Sequence, residues 1–271
     1  MLQILKPIVK KAGSKLFSQF GQQISVSYKS SKQDLLTKPD VEIQHFIKEE
    51  ITDALVNKGI NKKEIGFIGE ENLDSQGRHL FVMDPIDGTT NFVSNIRYFA
   101  ISIAYFFEGK LISGVTFDPC SKTLFYAEKA KGAFKLSRGK KTRLKVEKRK
   151  LSESIFNTYI SAYPEVRARI LKVIQKLFPK IRAMRSWGCG TLEAAELADN
   201  KIQVLINGNS WIWDIATAKL LLNESGALLT DWQGNELEFD IANHNKAYEI
   251  IACQPQNLEK IVAIISSALR N

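Results

Sequence analysis

Between residues 98 and 136 the chain runs through four short apolar stretches: YFAISIAYFF, LISGVTF, TLFYAE and GAFKL. Turn residues such as Glu108-Gly109-Lys110 separate them, and this spacing predicts an antiparallel meander. Its flanks read differently. Residues 24–30 (ISVSYKS) alternate like a strand, and VEIQHFIKEEITDALVNK (41–58) sets Ile43, Ile47, Ile51, Ala54 and Leu55 on one helical face. GFIGEEN and RHLFVMD read as short buried strands ending in acids.

The second half alternates strand and helix. IFNTYI is followed by a helix over 164–178, IRAMRS by a helix over 190–198, and QVLI by a helix from 215. GALLTD, EIIAC and a closing helix NLEKIVAIISSALR complete the chain. Such a mixture predicts a layered α+β fold, with sheets sandwiched between helix layers.

The 271 residues suit one large domain or two coupled lobes. Neither a repeat nor a Pro/Gly/Ser-rich linker divides them. No apolar run approaches the roughly 20 residues of a membrane span. The first 20 residues have no uninterrupted apolar core or small-residue cleavage site. Leu5, Ile8, Val9, Ala12, Leu16 and Phe20 instead fall on one face of a helix that also carries Lys6, Lys10, Lys11 and Lys15. Docking onto the core is the expected role, with membrane-surface binding as the alternative.

Cys120, Cys189 and Cys253 form no CxxC pair and are odd in number, which argues against a zinc site or a disulfide framework and for a reduced, cytoplasmic setting. His45, His79 and His244 are scattered, so metal chemistry here has to use oxygen. The net charge of +9 is concentrated in KLSRGKKTRLKVEKRK (135–150), where nine Lys/Arg face one Glu. Without interleaved aromatics or a nucleic-acid-binding signature, that run reads as a solvated hairpin and linker. Steering of anionic substrates comes second.

The sharpest motif is DPIDGTTNF (84–92). Asp84 is expected at the carboxyl end of the strand, Pro85 and Gly88 in a tight turn, and Thr89-Thr90 as caps of a short helix. Turn and cap roles alone account for those residue types. But two carboxylates within one turn repel each other unless a cation lies between them, and Mg²⁺ characteristically takes a few carboxylates together with substrate phosphate. The amides of Gly88 and Thr89 at a helix start would suit the anion. An EF-hand or a Walker loop is excluded by the positions of the acids and the missing Gly-Lys-Ser/Thr. Glu70 and Glu71 follow a strand and can reach the same rim. Asp214 reads as the N-cap of a helix over 215–224 or as a ligand, and Asp40 as a helix N-cap.

Taken together, TKPD (37–40), GEEN (69–72), DPIDGTTNF and WDIATAKLLLNESGALLTD (213–231) resemble the inositol monophosphatase family of Mg²⁺-dependent, lithium-sensitive phosphatases, in that family's order and spacing. FDPCSKTLFYAEKAKGAF (117–134) is similar to the family's hairpin, so the likeness spans nearly the whole chain. It implies an α-β-α-β-α sandwich of the sugar/inositol phosphatase type, with lobes of about 1–145 and 146–271 and the active site between them. It also implies two to three Mg²⁺ ions and a homodimer.

Position by position, the resemblance assigns Glu70, Asp84, the Ile86 carbonyl, Asp87 and Asp214 to metal, with Asp84 bridging. Thr89, paired with Asp40, would activate water, with Glu70 as a further catalytic group. Asp87, Gly88, Thr89, Gly190, Asn207 and Asp214 would contact substrate. Inositol-handling members carry a glutamate where this chain has Asn207, and their ring-facing segment corresponds to Gly188-Cys189-Gly190. Thr90-Asn91 matches the inositol branch. The implied activity is phosphomonoester hydrolysis of inositol monophosphate or a related small polyol or sugar phosphate, with no membrane or nucleic-acid partner. A regulatory or nucleic-acid-binding role through 135–150 is the alternative.

Overall fold

The computed structural model describes residues 1–28 and 35–270. Seven α-helices are present among them: α1 Leu2–Phe17, α2 Lys38–Val56, α3 Thr89–Val93, α4 Pro164–Leu177, α5 Gly190–Ala198, α6 Ile212–Ser225 and α7 Leu258–Leu269. A small ribbon pairs β1 (Val26–Tyr28) with β2 (Leu35–Thr37). Residues 29 and 30 of the expected 24–30 strand lie outside the described residues.

The first large sheet contains β3 Ile65–Gly69, β4 Leu73–Ser75, β5 His79–Asp87, β6 Ala100–Phe107, β7 Lys110–Asp118, β8 Thr123–Glu128, β9 Gly132–Ser137 and β10 Lys140–Arg143. Its order is β10-β9-β8-β7-β6-β5-β3-β4, antiparallel except for the β3–β5 pair. The meander over 98–136 is therefore as expected. Glu108 and Gly109, with φ of 48° and 75°, make its first two-residue turn, the left-handed pair that suits the twist of a hairpin.

The second sheet contains β11 Ile155–Asn157, β12 Ala183–Arg185, β13 Val204–Ser210, β14 Leu228–Thr230 and β15 Tyr248–Cys253. Its order is β12-β11-β13-β15-β14, with β11 parallel to both neighbours. Parallel neighbours need long crossovers, and the helix over 164–177 supplies one of them.

Apolar clusters define five layers. Leu5, Val9 and Leu16 of α1 and Ile43, Ile47 and Ile51 of α2 pack on Phe81, Ile101 and Val115 of the first sheet. The amphipathic first helix is thus a core element, with each fully buried side chain contributing roughly 1.5–3 kcal/mol. On the sheet's other face, Leu192 of α5 and Leu221 of α6 join Phe125 and Ala127 to Leu205 and Ile250 of the second sheet. Beyond that sheet, Ile170 of α4 and Ile261 of α7 close over Val204, Ile206 and Ile251. The α-β-α-β-α sandwich follows from these clusters. Helix α6 runs so close to β7 that a Cβ added at Gly114 would meet Thr217 at 3.0 Å.

Several boundaries differ from the sequence reading. Strand β5 does not stop at Asp84 but continues to Asp87. Helices α2 and α6 start at Lys38 and Ile212, so Asp40 and Asp214 are third residues of their helices and not N-caps. Gly88, with φ 89°, caps α3, and Thr89 is its first helical residue. No helix among the described residues is long and apolar enough to cross a membrane.

Candidate active site

Residues along β5 alternate between two packing faces. Leu80 and Val82 enter the cluster shared with α6, while Phe81 and Met83 enter the one shared with α1 and α2. On a regular strand Asp84 would face α6, and a residue three positions later would face the opposite way. The ladder breaks at this point. Asp84 pairs with Ser102 and Asp87 with Ala100, so three steps on β5 oppose two on β6. This one-residue bulge resets the alternation. Ile86 drops into the α1/α2 cluster, and Asp87 returns to the side of Asp84, where both line one cavity. Pro85 sits inside the bulge, where a missing N–H costs the ladder nothing. The Ile86 amide donates to Asp84 Oδ1 at 3.0 Å.

Other elements bring further acids to the same cavity of about 940 Å³, Glu70 and Asp214 among them. Glu70 follows β3, and Gln44 of α2 brackets the next residue. Its Nε2 donates to the Glu71 carbonyl at 2.9 Å and its Oε1 accepts from the Glu71 amide at 3.2 Å. Asp214 faces back over the first turn of α6 and accepts from the Trp211 amide at 2.7 Å. Asp40, fully buried, does the same in α2, accepting the Thr37 amide at 2.8 Å. The Thr89 hydroxyl lies between the Ile86 carbonyl, at 2.9 Å, and Asp40 Oδ1, at 3.3 Å. Thr89, which lines the cavity, thus links Asp40 to it.

The rim opposite is the start of α5. Asp87 accepts from the amides of Gly190 and Thr191 at 3.2 and 2.6 Å and from the Cys189 thiol at 3.3 Å. Glu193 accepts from the amides of Gly188 and Cys189 at 2.9 and 3.3 Å. Two carboxylates therefore satisfy four successive amides. Burial pushes the Asp87 carboxyl above its ordinary range, against the pull of the Thr191, Cys189 and Gly190 donors. It raises Glu193 to about 7, with the Asp87 charge adding to the effect. Asn91 staples the two rims, its Nδ2 donating at 2.7 Å to the carbonyls of both Tyr98 and Trp187.

The predicted residues Glu70, Asp84, Ile86, Asp87, Gly88, Thr89, Gly190, Asn207 and Asp214 all line this cavity. Among the described residues no three His, Cys, Asp or Glu side chains are grouped to hold a metal ion. Asp84, Asp87 and Asp214 each accept a backbone amide. Asn207 also accepts from the Tyr159 amide, at 2.9 Å to its Oδ1. Sequence reasoning passes over Gln44 and Glu193 and takes Asn91 only as a branch marker. Only Glu193 carries a local signal, an acid among small apolar residues in GTLEAAELA.

Five layers with an acidic cavity over a bulged strand end are the architecture of the sugar and inositol phosphatases. The chain belongs to the inositol monophosphatase family, whose family model matches residues 1–270. It is 33% identical over 229 residues to an inositol-1-monophosphatase of Caulobacter vibrioides, covering 82% of this chain and 85% of that one. It is 27% identical over 269 residues to the Nus factor SuhB of Vibrio cholerae, with 97% and 94% covered. Among solved structures, the Thermotoga maritima IMPase superposes with a TM-score of 0.86 at 26% identity, covering 99% and 98% of the two chains.

Proposed function

We propose that this protein is a Mg²⁺-dependent phosphomonoesterase acting on inositol monophosphate or a related small polyol or sugar phosphate. The observation that carries the reading is the β5 bulge, which turns Asp84 and Asp87 to one side of a cavity shared with Glu70 and Asp214. Its donors are carboxylates and the Ile86 carbonyl, the hard oxygens that Mg²⁺ takes. Glu70, Asp84, Ile86, Asp87 and Asp214 would hold two to three ions. When bound, such ions neutralise the phosphate, lower the pKa of water and stabilise the departing alkoxide.

The chain's own contribution is positioning. Thr89, hydrogen-bonded to buried Asp40, has a proton path away from the cavity and is suited to orient an attacking water and relay its proton. The start of α3 carries no side-chain cap, so the Gly88 and Thr89 amides suit the phosphate. Asp87, fixed by the α5 amides, keeps its carboxylate in place whether or not substrate is bound. The reaction would take place in the cleft between an N-terminal lobe of about 1–145 and a C-terminal lobe of about 146–271, in a homodimer. Phosphate release from a panel of monoesters, with and without Mg²⁺, tests the reading. Turnover on none of them would end it, and light scattering tests the dimer.

A second reading has its own observation. The basic run 135–150 includes β10, an edge strand of the first sheet, with Lys140, Lys141 and Arg143 exposed. Lysines also protect such edges from pairing with another chain. A regulatory role through this edge predicts salt-sensitive RNA binding that survives Asp84→Asn.

A further inference from the structure

The two rims of the cavity touch along a seam. A Cβ added at Gly88 would meet the Tyr98 carbonyl at 3.1 Å, the Gly188 carbonyl at 3.2 Å and Cys189 Cβ at 3.3 Å. Backbone of the 84–89 rim therefore lies directly against the approach to α5. Three carbonyl oxygens converge at this seam, from Tyr98, Trp187 and Gly188. Acceptors crowded together in a half-dry place need a donor between them. Asn91, 8% exposed, supplies it. Its Nδ2 donates to the Tyr98 and Trp187 carbonyls at 2.7 Å each, with the Gly188 carbonyl a third neighbour at 3.5 Å. Both N–H bonds of the amide are then in use.

The donor is itself held from two sides. The Asn91 carbonyl accepts from the Ile96 amide at 2.8 Å. The next residue, Phe92, sits in the α1/α2 cluster, edge-on to Phe99 with ring centroids 5.0 Å apart. Tyr98 and Trp187 pack on each other at 5.3 Å and against the cluster beneath α5 and α6. Asn91 thus joins the α1/α2 side of the molecule to the layer that carries the α5 rim. Asp87 crosses the same seam to Gly190 and Thr191, but its oxygens are the kind that a metal would share. The Nδ2 of an amide offers a cation nothing, so the Asn91 tie is independent of metal.

What the seam fixes is a distance. A phosphate at the 84–89 rim leaves the alcohol of its ester to the far rim around Gly190, and both rims line one cavity. We propose that Asn91 is a positioning residue that sets the gap between these rims, and so governs how the alcohol of a phosphate ester is bound, through the two carbonyls it holds. This rests on the phosphatase reading above.

The test uses the full chain with Mg²⁺ and the variants Asn91→Asp and Asn91→Ala. Aspartate has nearly the same size, but its ionised form donates nothing and sets an anion against three carbonyls. KM and kcat are measured for inositol 1-phosphate and glycerol 2-phosphate. The inhibition constant is measured for inorganic phosphate, which needs only the 84–89 rim. For each ester turned over, KM is expected to rise about tenfold, as loss of two hydrogen bonds implies. Both kcat and the phosphate constant should stay within about threefold, the pattern of lost binding common to ground and transition states. A merely structural contact would instead lower the folded fraction, and with it the apparent kcat, and leave KM alone. An unchanged KM, a parallel rise in KM and the phosphate constant, or a kcat that falls more than KM rises would overturn the proposal. Either variant decides the matter if the other fails to fold, and failure of both by circular dichroism would make Asn91 a folding residue and overturn it too. Hydrolysis of neither ester by the wild type would remove the phosphatase reading and this proposal together. Wild-type hydrolysis with KM unmoved in the variants would remove this proposal alone.

Discussion

The two rims of the cavity treat backbone amides in opposite ways. At the start of α5 all four amides from Gly188 to Thr191 are taken by Glu193 and Asp87. At the start of α3 a left-handed Gly88 leads into the helix and no side chain caps it. Both segments are glycine-containing helix starts, yet one is already charge-satisfied and the other is not. An incoming phosphate would have to displace a carboxylate at α5 but meets none capping α3. On the phosphatase reading, the α5 rim would serve as scaffold and the 84–89 rim as the chemical edge.

The largest test of that contrast is Asp84→Asn. If the 84–89 rim runs the chemistry, phosphate release should fall about a thousandfold while the far-ultraviolet circular dichroism stays that of the wild type. Activity within a few fold of wild type would move the chemistry elsewhere. Thr89→Ala comes next. Loss of the hydroxyl between Asp40 and Ile86 should lower kcat about a hundredfold with little change in KM, since binding and proton relay are separable.

Glu193→Ala probes the scaffold rim and should act on stability. It strips two amides of their acceptor in a fully buried place, which is expected to cost about 2–3 kcal/mol in denaturant unfolding. Glu193→Gln keeps an acceptor oxygen and should avoid that loss. The same pair carries a pH signature. Burial, and then Asp87, hold the Glu193 carboxyl up to about 7, against an ordinary 4.5. Below 4.5 both folded and unfolded forms are protonated. As the pH rises from there to 7 the unfolded chain releases the proton first, so wild-type stability declines across that window. In chelator, the Gln variant should match wild type at the acid end and melt higher from about pH 7 upward. The smallest expected effect is a rise of a few degrees in melting temperature with millimolar Mg²⁺. A flat response would remove the need for a cation among these carboxylates.

Much of this was legible in the sequence because it is local. The meander announces itself through alternating apolar runs and turns, and α1 through the spacing of Leu5, Ile8, Val9, Ala12 and Leu16. Asp40 and Asp214 mark the right helix starts but not the N-cap position, because an acid at the third residue reaching back over the turn looks like an N-cap when read alone. Strand β4 has no such signal, since Leu-Asp-Ser lacks a strand pattern and is ordered by pairing with β3, whereas β10 falls in the basic run that reads as a hairpin and pairs with β9. The Asp87 bonds to Gly190 and Thr191 span about a hundred residues of chain, and no nearby pattern encodes them. For the same reason nothing near Asn207 in the sequence announces its bond to the Tyr159 amide.

The insertion in β5 has a consequence for how this segment can change. At its present length the segment, if paired residue for residue with β6, would carry the second acid through to the packing layer of α1 and α2. Removing one residue between the two would remove the bulge and leave both acids on one side, so their orientation is set by spacing and ladder together.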